Sequence, residues 1–147
     1  MKKKTQDKRR EPKCSLILNK EGIRLTIREA LNKIDAQKPN SFTQDEKIEW
    51  LSRLDGTIKH EIIDTHEGGE DVVFGGYNAE TDLDTVLLAP EPYDEVYLRF
   101  LETQIDYTNN EYGRFNNSNA MFKAAYSSFR NFYNREHLPK GKQLKFF

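Results

Sequence analysis

Tyr112-Gly-Arg-Phe-Asn-Asn-Ser-Asn-Ala-Met-Phe-Lys-Ala-Ala-Tyr-Ser-Ser-Phe-Arg-Asn-Phe-Tyr133 is the stretch that decides the fold. Tyr112, Phe115, Asn119, Phe122, Tyr126, Phe129 and Tyr133 step by three and four residues throughout. That spacing returns to one face of an α-helix and gives a heptad-like seam of six rings and one asparagine. A helix from about Glu111 to His137 is on the order of 40 Å long, with Gly113 a weak spot near its start. The seam reads as core packing. A cofactor box would need ligating groups between the rings.

Working upstream, Asn109–Asn110 is the natural site of a tight turn into a preceding helix. Pro92 suits the first turn of that helix, where its missing N–H costs nothing. Tyr93, Val96, Tyr97, Phe100, Leu101 and Ile105 cover its apolar face. Two more helices carry capping-box patterns, Thr26 with Glu29 and Thr43 with Glu46. The first has the stripe Ile27, Ala30, Leu31 and Ile34 and ends at Pro39. The second has Ile48, Leu51, Leu54, Ile58 and Ile62 and is expected to stop at Gly68–Gly69, with Gly56 costing roughly 1 kcal/mol relative to alanine. Between helices two and three, glycines flank Val72, Val73 and Phe74, a candidate strand or extended arm. A connection this long in a compact domain usually has a job or a partner. The expected fold is all-α: a small bundle of about four helices, with a long extended, β-containing loop between helices two and three.

Composition narrows the class. Of 147 residues 36% are hydrophobic and 32% charged, but 7 Tyr, 9 Phe and 1 Trp are too many for a disordered chain. The longest apolar run, Val86 to Ala89, does not span a bilayer. One cysteine, Cys14, cannot form an intrachain disulfide, and the basic start lacks the apolar stretch of a signal peptide. A cytosol-made single domain is expected. Charge is uneven: residues 1–13 carry +5 and residues 135–147 carry +3, leaving −9 between them. The first arm is expected to be solvated. It has no aromatics interleaved for base stacking.

No catalytic constellation stands out. His60, Glu61 and Asp64 read His-Glu-x-x-Asp, where a zinc protease needs a second histidine in place of Asp64. With His66 nearby, the plainer reading is a polar helix end. Gly69 to Gly76 lacks the lysine and hydroxyl of a phosphate loop, Cys14 has no neighbouring histidine, and Ser127 and Ser128 have no base at readable spacing. Acid pairs among Glu80, Asp82 and Asp84 lack calcium-loop spacing. The expectation is a protein that is not an enzyme and carries no cofactor or metal.

From Leu25 onward the chain resembles the head–tail connector, or neck adaptor, proteins of long-tailed phages and prophages. Three stretches carry the likeness: Thr26-Ile-Arg-Glu-Ala-Leu-Asn-Lys-Ile-Asp; Pro92-Tyr-Asp-Glu-Val-Tyr-Leu-Arg-Phe-Leu-Glu; and Glu111-Tyr-Gly-Arg-Phe-Asn-Asn-Ser, running on to Phe132-Tyr-Asn-Arg-Glu-His-Leu-Pro-Lys. The resemblance implies a structural virion part: a helical protomer in a ring, commonly of twelve copies, beneath the portal protein. Such a ring offers a surface to the tail-side neck protein, and DNA only passes through its channel. The implied location is the virion neck, and the bacterial host cytoplasm during assembly, with no membrane partner. On this reading residues 25–138 are the connector domain. Residues 1–24 are a flexible basic extension, either a real arm or a start assigned upstream of the true one. Residues 139–147 are a docking tail.

Candidate contacts for assembly are the apolar loop residues Val72, Val73, Phe74, Leu87 and Leu88, and the tail residues Lys142, Leu144, Lys145, Phe146 and Phe147. The loop residues are too apolar to be idle in water and are expected to lie away from the helical core. Rival readings are a small regulatory DNA- or protein-binding module whose basic arm contacts DNA, and a metal-dependent hydrolase built on His60, Glu61, Asp64 and His66.

Overall fold

A computed structural model describes residues 23–141. Four helices pack around one apolar core, with a two-stranded sheet closing one end. In chain order these are β1 (Arg24–Thr26), α1 (Ile27–Gln37), α2 (Gln44–Ile58), β2 (Val86–Pro90), α3 (Glu95–Thr108) and α4 (Tyr112–Glu136). The helical bundle and the β-containing connection between helices two and three agree with the sequence pattern. Among the described residues no helix is long and apolar enough to cross a membrane.

The capping signals act as expected, with one difference. Thr43 and Glu46 form the complete reciprocal box at the start of α2. At α1 the Thr26 hydroxyl accepts from the Glu29 amide at 3.2 Å. The next free N–H groups of α1 are met from afar: Ile27 donates to the Thr85 carbonyl at 3.0 Å and Arg28 to the Leu83 carbonyl at 2.9 Å. The loop entering β2 thus satisfies orphan donors at a helix start. β1 and β2 are antiparallel, Arg24 facing Pro90 and Thr26 facing Val86 with an irregularity in register between them.

Several boundaries move. α2 ends earlier than the glycines predict, passing into one π-helical turn at Lys59–Ile63. Gly68–Gly69 lie beyond it, in a turn leading to a short 3₁₀ segment at Gly69–Asp71. α3 begins at Glu95, so Pro92 sits in the preceding turn, after a cis peptide bond, rather than in the helix. Val72–Phe74 form no strand. The α3–α4 turn falls at Asn109–Asn110, with Asn110 in the left-handed region that asparagine tolerates (φ 60°).

The aromatic seam is only half buried in the literal sense. Tyr126, Phe129 and Tyr133 are core, Phe115 and Phe122 are partly covered, and Tyr112 is exposed. Its C-terminal half packs on α3 and the π-turn. Its N-terminal half runs chiefly beside α3. Asp106 ties this hairpin to α1: its buried carboxylate accepts from Ser118 Oγ of α4 at 2.7 Å and pairs with Lys38 at the end of α1.

Candidate functional site

The long connection from the π-turn to β2 is a fixed part of the molecule, held mainly at Asp55. This aspartate lies on the apolar face of α2, fully buried. Tyr77 of the loop donates to it at 2.6 Å, Tyr97 of α3 at 2.6 Å, and the Leu88 amide of β2 at 3.3 Å. Tyr97 in turn accepts from the Ala89 amide at 2.7 Å. Burial pushes the Asp55 carboxyl up to about 6, and the donated hydrogen bonds only partly offset it. Burial, then the facing carboxylate, holds both tyrosine hydroxyls well above their ordinary range. Four elements meet on one carboxylate.

A second anchor lies one turn along the same helix. The Tyr77 amide donates to Ser52 Oγ at 3.0 Å, and Phe74 stacks edge-on against Tyr77 with centroids 5.1 Å apart. The Phe74 ring passes over Gly56, where a Cβ would lie 3.7 Å from it. The helix glycine therefore sits under the loop.

These anchors sort the loop candidates. Val72 and Phe74 are half-buried, whereas Val73 between them is 91% exposed. Leu87 and Leu88 require a correction: they lie in β2, buried in the core at 0% and 8% exposure. A strand covered by the helical layer explains their apolarity without any partner. Lys142, Leu144, Lys145, Phe146 and Phe147 lie outside the described residues, as do Cys14 and the basic arm. The last described residues lie along the π-turn's exit, where Glu67 donates to the Leu138 carbonyl at 2.8 Å and Lys140 to the Thr65 carbonyl at 2.9 Å.

The histidine cluster disperses. His60 is exposed. Glu61 accepts the Tyr126 hydroxyl at 2.8 Å, and Asp64 pairs with Lys59. His66 is buried, with its ring nitrogens against the Ile62 carbonyl and the Asn134 side-chain amide and its ring edge-on to Tyr133. Among the described residues no three His, Cys, Asp or Glu side chains converge to hold a metal ion.

Concavities border α4 on more than one side. A pocket of about 160 Å³ lies near its C-terminal end, with Arg24, Val72, Leu88, Phe129, Tyr133 and His137 on its walls. An open apolar groove of about 260 Å³ runs between α2 and the α3–α4 hairpin, over Arg53, Leu54, Thr57, Phe100, Phe122 and Tyr126. The Arg130 guanidinium lies 5.1 Å from the ring centroid of Tyr126, one of the groove's walls. Compared with known proteins, the chain matches no family model, no curated protein and no solved structure.

Sequence reasoning missed the Asp55 network. A signal was available, because Asp55 falls at helical spacing among Leu51, Ile58 and Ile62, an acid inside an apolar stripe. A carboxylate there must find donors or stay protonated.

Proposed function

We propose that this chain is a structural component of a phage or prophage neck, a head–tail connector that assembles as a ring beneath the portal protein and hands on to a tail-side neck protein. The sequence likeness over residues 25–138 supports this reading. One structural observation carries it: the loop is pinned to α2 at both Phe74 and Tyr77, yet presents Val73 bare to solvent. A fixed loop that holds an apolar side chain out in solvent presents a preformed contact point at little further ordering cost.

The test is purification of the full chain, alone and with the portal protein encoded beside it, followed by native mass measurement and electron microscopy. Closed rings on portal are expected, within a gene neighbourhood of portal and capsid upstream and tail genes downstream. A chain that stays monomeric and ignores portal overturns the reading.

A second reading, a small regulatory DNA-binding module, draws on α4. From Tyr112 to Arg135 that helix carries Arg114, Lys123, Arg130 and Arg135 and no acid. Salt-sensitive binding to duplex DNA by the purified chain would favour it.

A further inference from the structure

We propose that Val73 is a plug that seats in the groove between α2 and the α3–α4 hairpin of a second copy of this chain. The inference rests on the ring reading above and names the two faces that a ring contact joins.

The plug is set by its neighbours. Val72 turns inward to the pocket by Phe129 and Tyr133, and Phe74 turns inward over Gly56, so the residue between them is forced outward. Both flanks are anchored, so little conformational freedom is lost when Val73 is covered, and that lowers the cost of binding. The receiving groove is apolar along its floor, where the Phe100 and Phe122 rings lie 5.2 Å apart and only partly covered.

Charge selects the partner. From Glu67 to Glu95 the chain has nine acids and no lysine or arginine. Three of these are paired internally: Glu70 with Lys140, Asp84 with Arg28 and Glu95 with Arg99. Asp71, two residues from the plug, has no salt-bridge partner among the described residues. Beside Tyr126 of the groove lining, α4 carries the opposite sign. Arg130 lies over Tyr126, and Lys123 is exposed three residues before Tyr126 on the same helix. Of the charged lining residues, Arg53 is held by Glu49 at 2.8 Å, and Glu61, which accepts the Tyr126 hydroxyl, keeps its negative charge. The two added bases Lys123 and Arg130 therefore set the sign beside Tyr126. An acid-flanked valine and an apolar groove with Lys123 and Arg130 beside its Tyr126 wall are complementary in both polarity and sign.

The two faces lie on different flanks of α2. The loop crosses Ser52 and Gly56, whereas the groove runs over Arg53 and Thr57, about 100° further round the helix. One copy can therefore give its plug and receive another at once. Such a contact is head-to-tail and propagates, closing into a ring where the rotation allows.

The experiment compares the full chain with Val73→Asp, Lys123→Glu, Asp71→Lys and the double variant Asp71→Lys/Lys123→Glu, by sedimentation and native mass, alone and on portal. All three sites are exposed, and circular dichroism reports folding independently. Wild type is expected to self-associate. Val73→Asp and each charge reversal should weaken association about tenfold or more, and the double variant should recover most of it because both signs are exchanged. Rings that form equally well with Val73→Asp and Lys123→Glu overturn this contact and leave the ring reading standing. A wild type that is monomeric alone and on portal overturns both. Loss of duplex-DNA binding in Lys123→Glu, with self-association unmoved, assigns the α4 bases to nucleic acid and overturns the plug. So does association that is lost on removing residues 1–13 yet unmoved by Val73→Asp, which would make the basic arm the occupant of the acidic loop.

Discussion

The Tyr97 hydroxyl is bonded to Asp55 at 2.6 Å while accepting from the Ala89 amide at 2.7 Å, so one side chain joins the carboxylate of α2 to the backbone of β2. Removing that hydroxyl strands two buried groups at once. Tyr97→Phe keeps the ring and its packing, and should cost about 1–3 kcal/mol in denaturant unfolding. An unchanged midpoint would mean that water replaces the hydroxyl.

Asp55 also sets a pH dependence. Its carboxyl is raised from 3.8 to about 6 by burial, so the folded state holds this proton more tightly than the unfolded chain. The associated stability is fully present below about pH 4 and is lost as pH rises through about 6, a swing of about 3 kcal/mol. Exposed carboxylates with lowered values, such as Glu70 beside Lys140, act in the opposite sense. The readout is therefore the difference between wild type and Asp55→Asn: the variant should lack the decline between about pH 4 and pH 7. Parallel curves for the two proteins would remove Asp55 as its source.

The seam should be graded along α4. Phe129 is 1% exposed and Phe129→Ala should cost about 3–5 kcal/mol, whereas Tyr112, 61% exposed, should tolerate alanine within about 0.5 kcal/mol. Equal costs at the two positions would mean that the hairpin tip is covered in solution.

Gly69 has no room for a side chain. A Cβ there would lie 2.3 Å from the Ile63 carbonyl oxygen, whereas one at Gly75 meets nothing within 4 Å. Gly69→Ala should therefore destabilise by about 1–3 kcal/mol, and Gly75→Ala should be close to neutral. Thermal denaturation of the two variants side by side separates them.

Local signals in this chain were readable, and distant ones were not. Thr43 with Glu46 announces α2, and the Ile48-to-Ile62 stripe gives its buried face, because both rest on contacts within a few residues. β2 is different. Leu87 and Leu88 read as spare apolar residues, since their pairing partner is a three-residue strand with no alternation of its own. The end of α2 was misplaced because the π-turn meets distant residues, such as the Tyr126 hydroxyl on Glu61, while the glycines that suggested a stop serve the next turn. Of the site, the exposed apolar run was legible, but which of its residues face outward depends on Gly56 and Ser52, two positions of α2 that carry no binding signature. The buried acids Asp55 and Asp106 went unread, because their donors come from residues far along the chain or across the hairpin.

The pairing of β1 with β2 fixes an order of events in folding. Thr26 and Val86 are about 60 residues apart, so joining them closes a loop that contains both α1 and α2, whereas the α3–α4 hairpin closes across two asparagines. The hairpin is entropically cheap and should form early, with the sheet arriving last. Leu101→Ala in α3 should then slow refolding, whereas Leu88→Ala in β2 should chiefly speed unfolding. Stopped-flow measurements showing the reverse would place the sheet in the nucleus. The last step of folding is thus also the one that seats Leu88 on Asp55 and sets the loop. On the proposal that Val73 is a plug, a chain still completing its fold would have no finished plug to offer, and the topology itself would hold back premature association during synthesis.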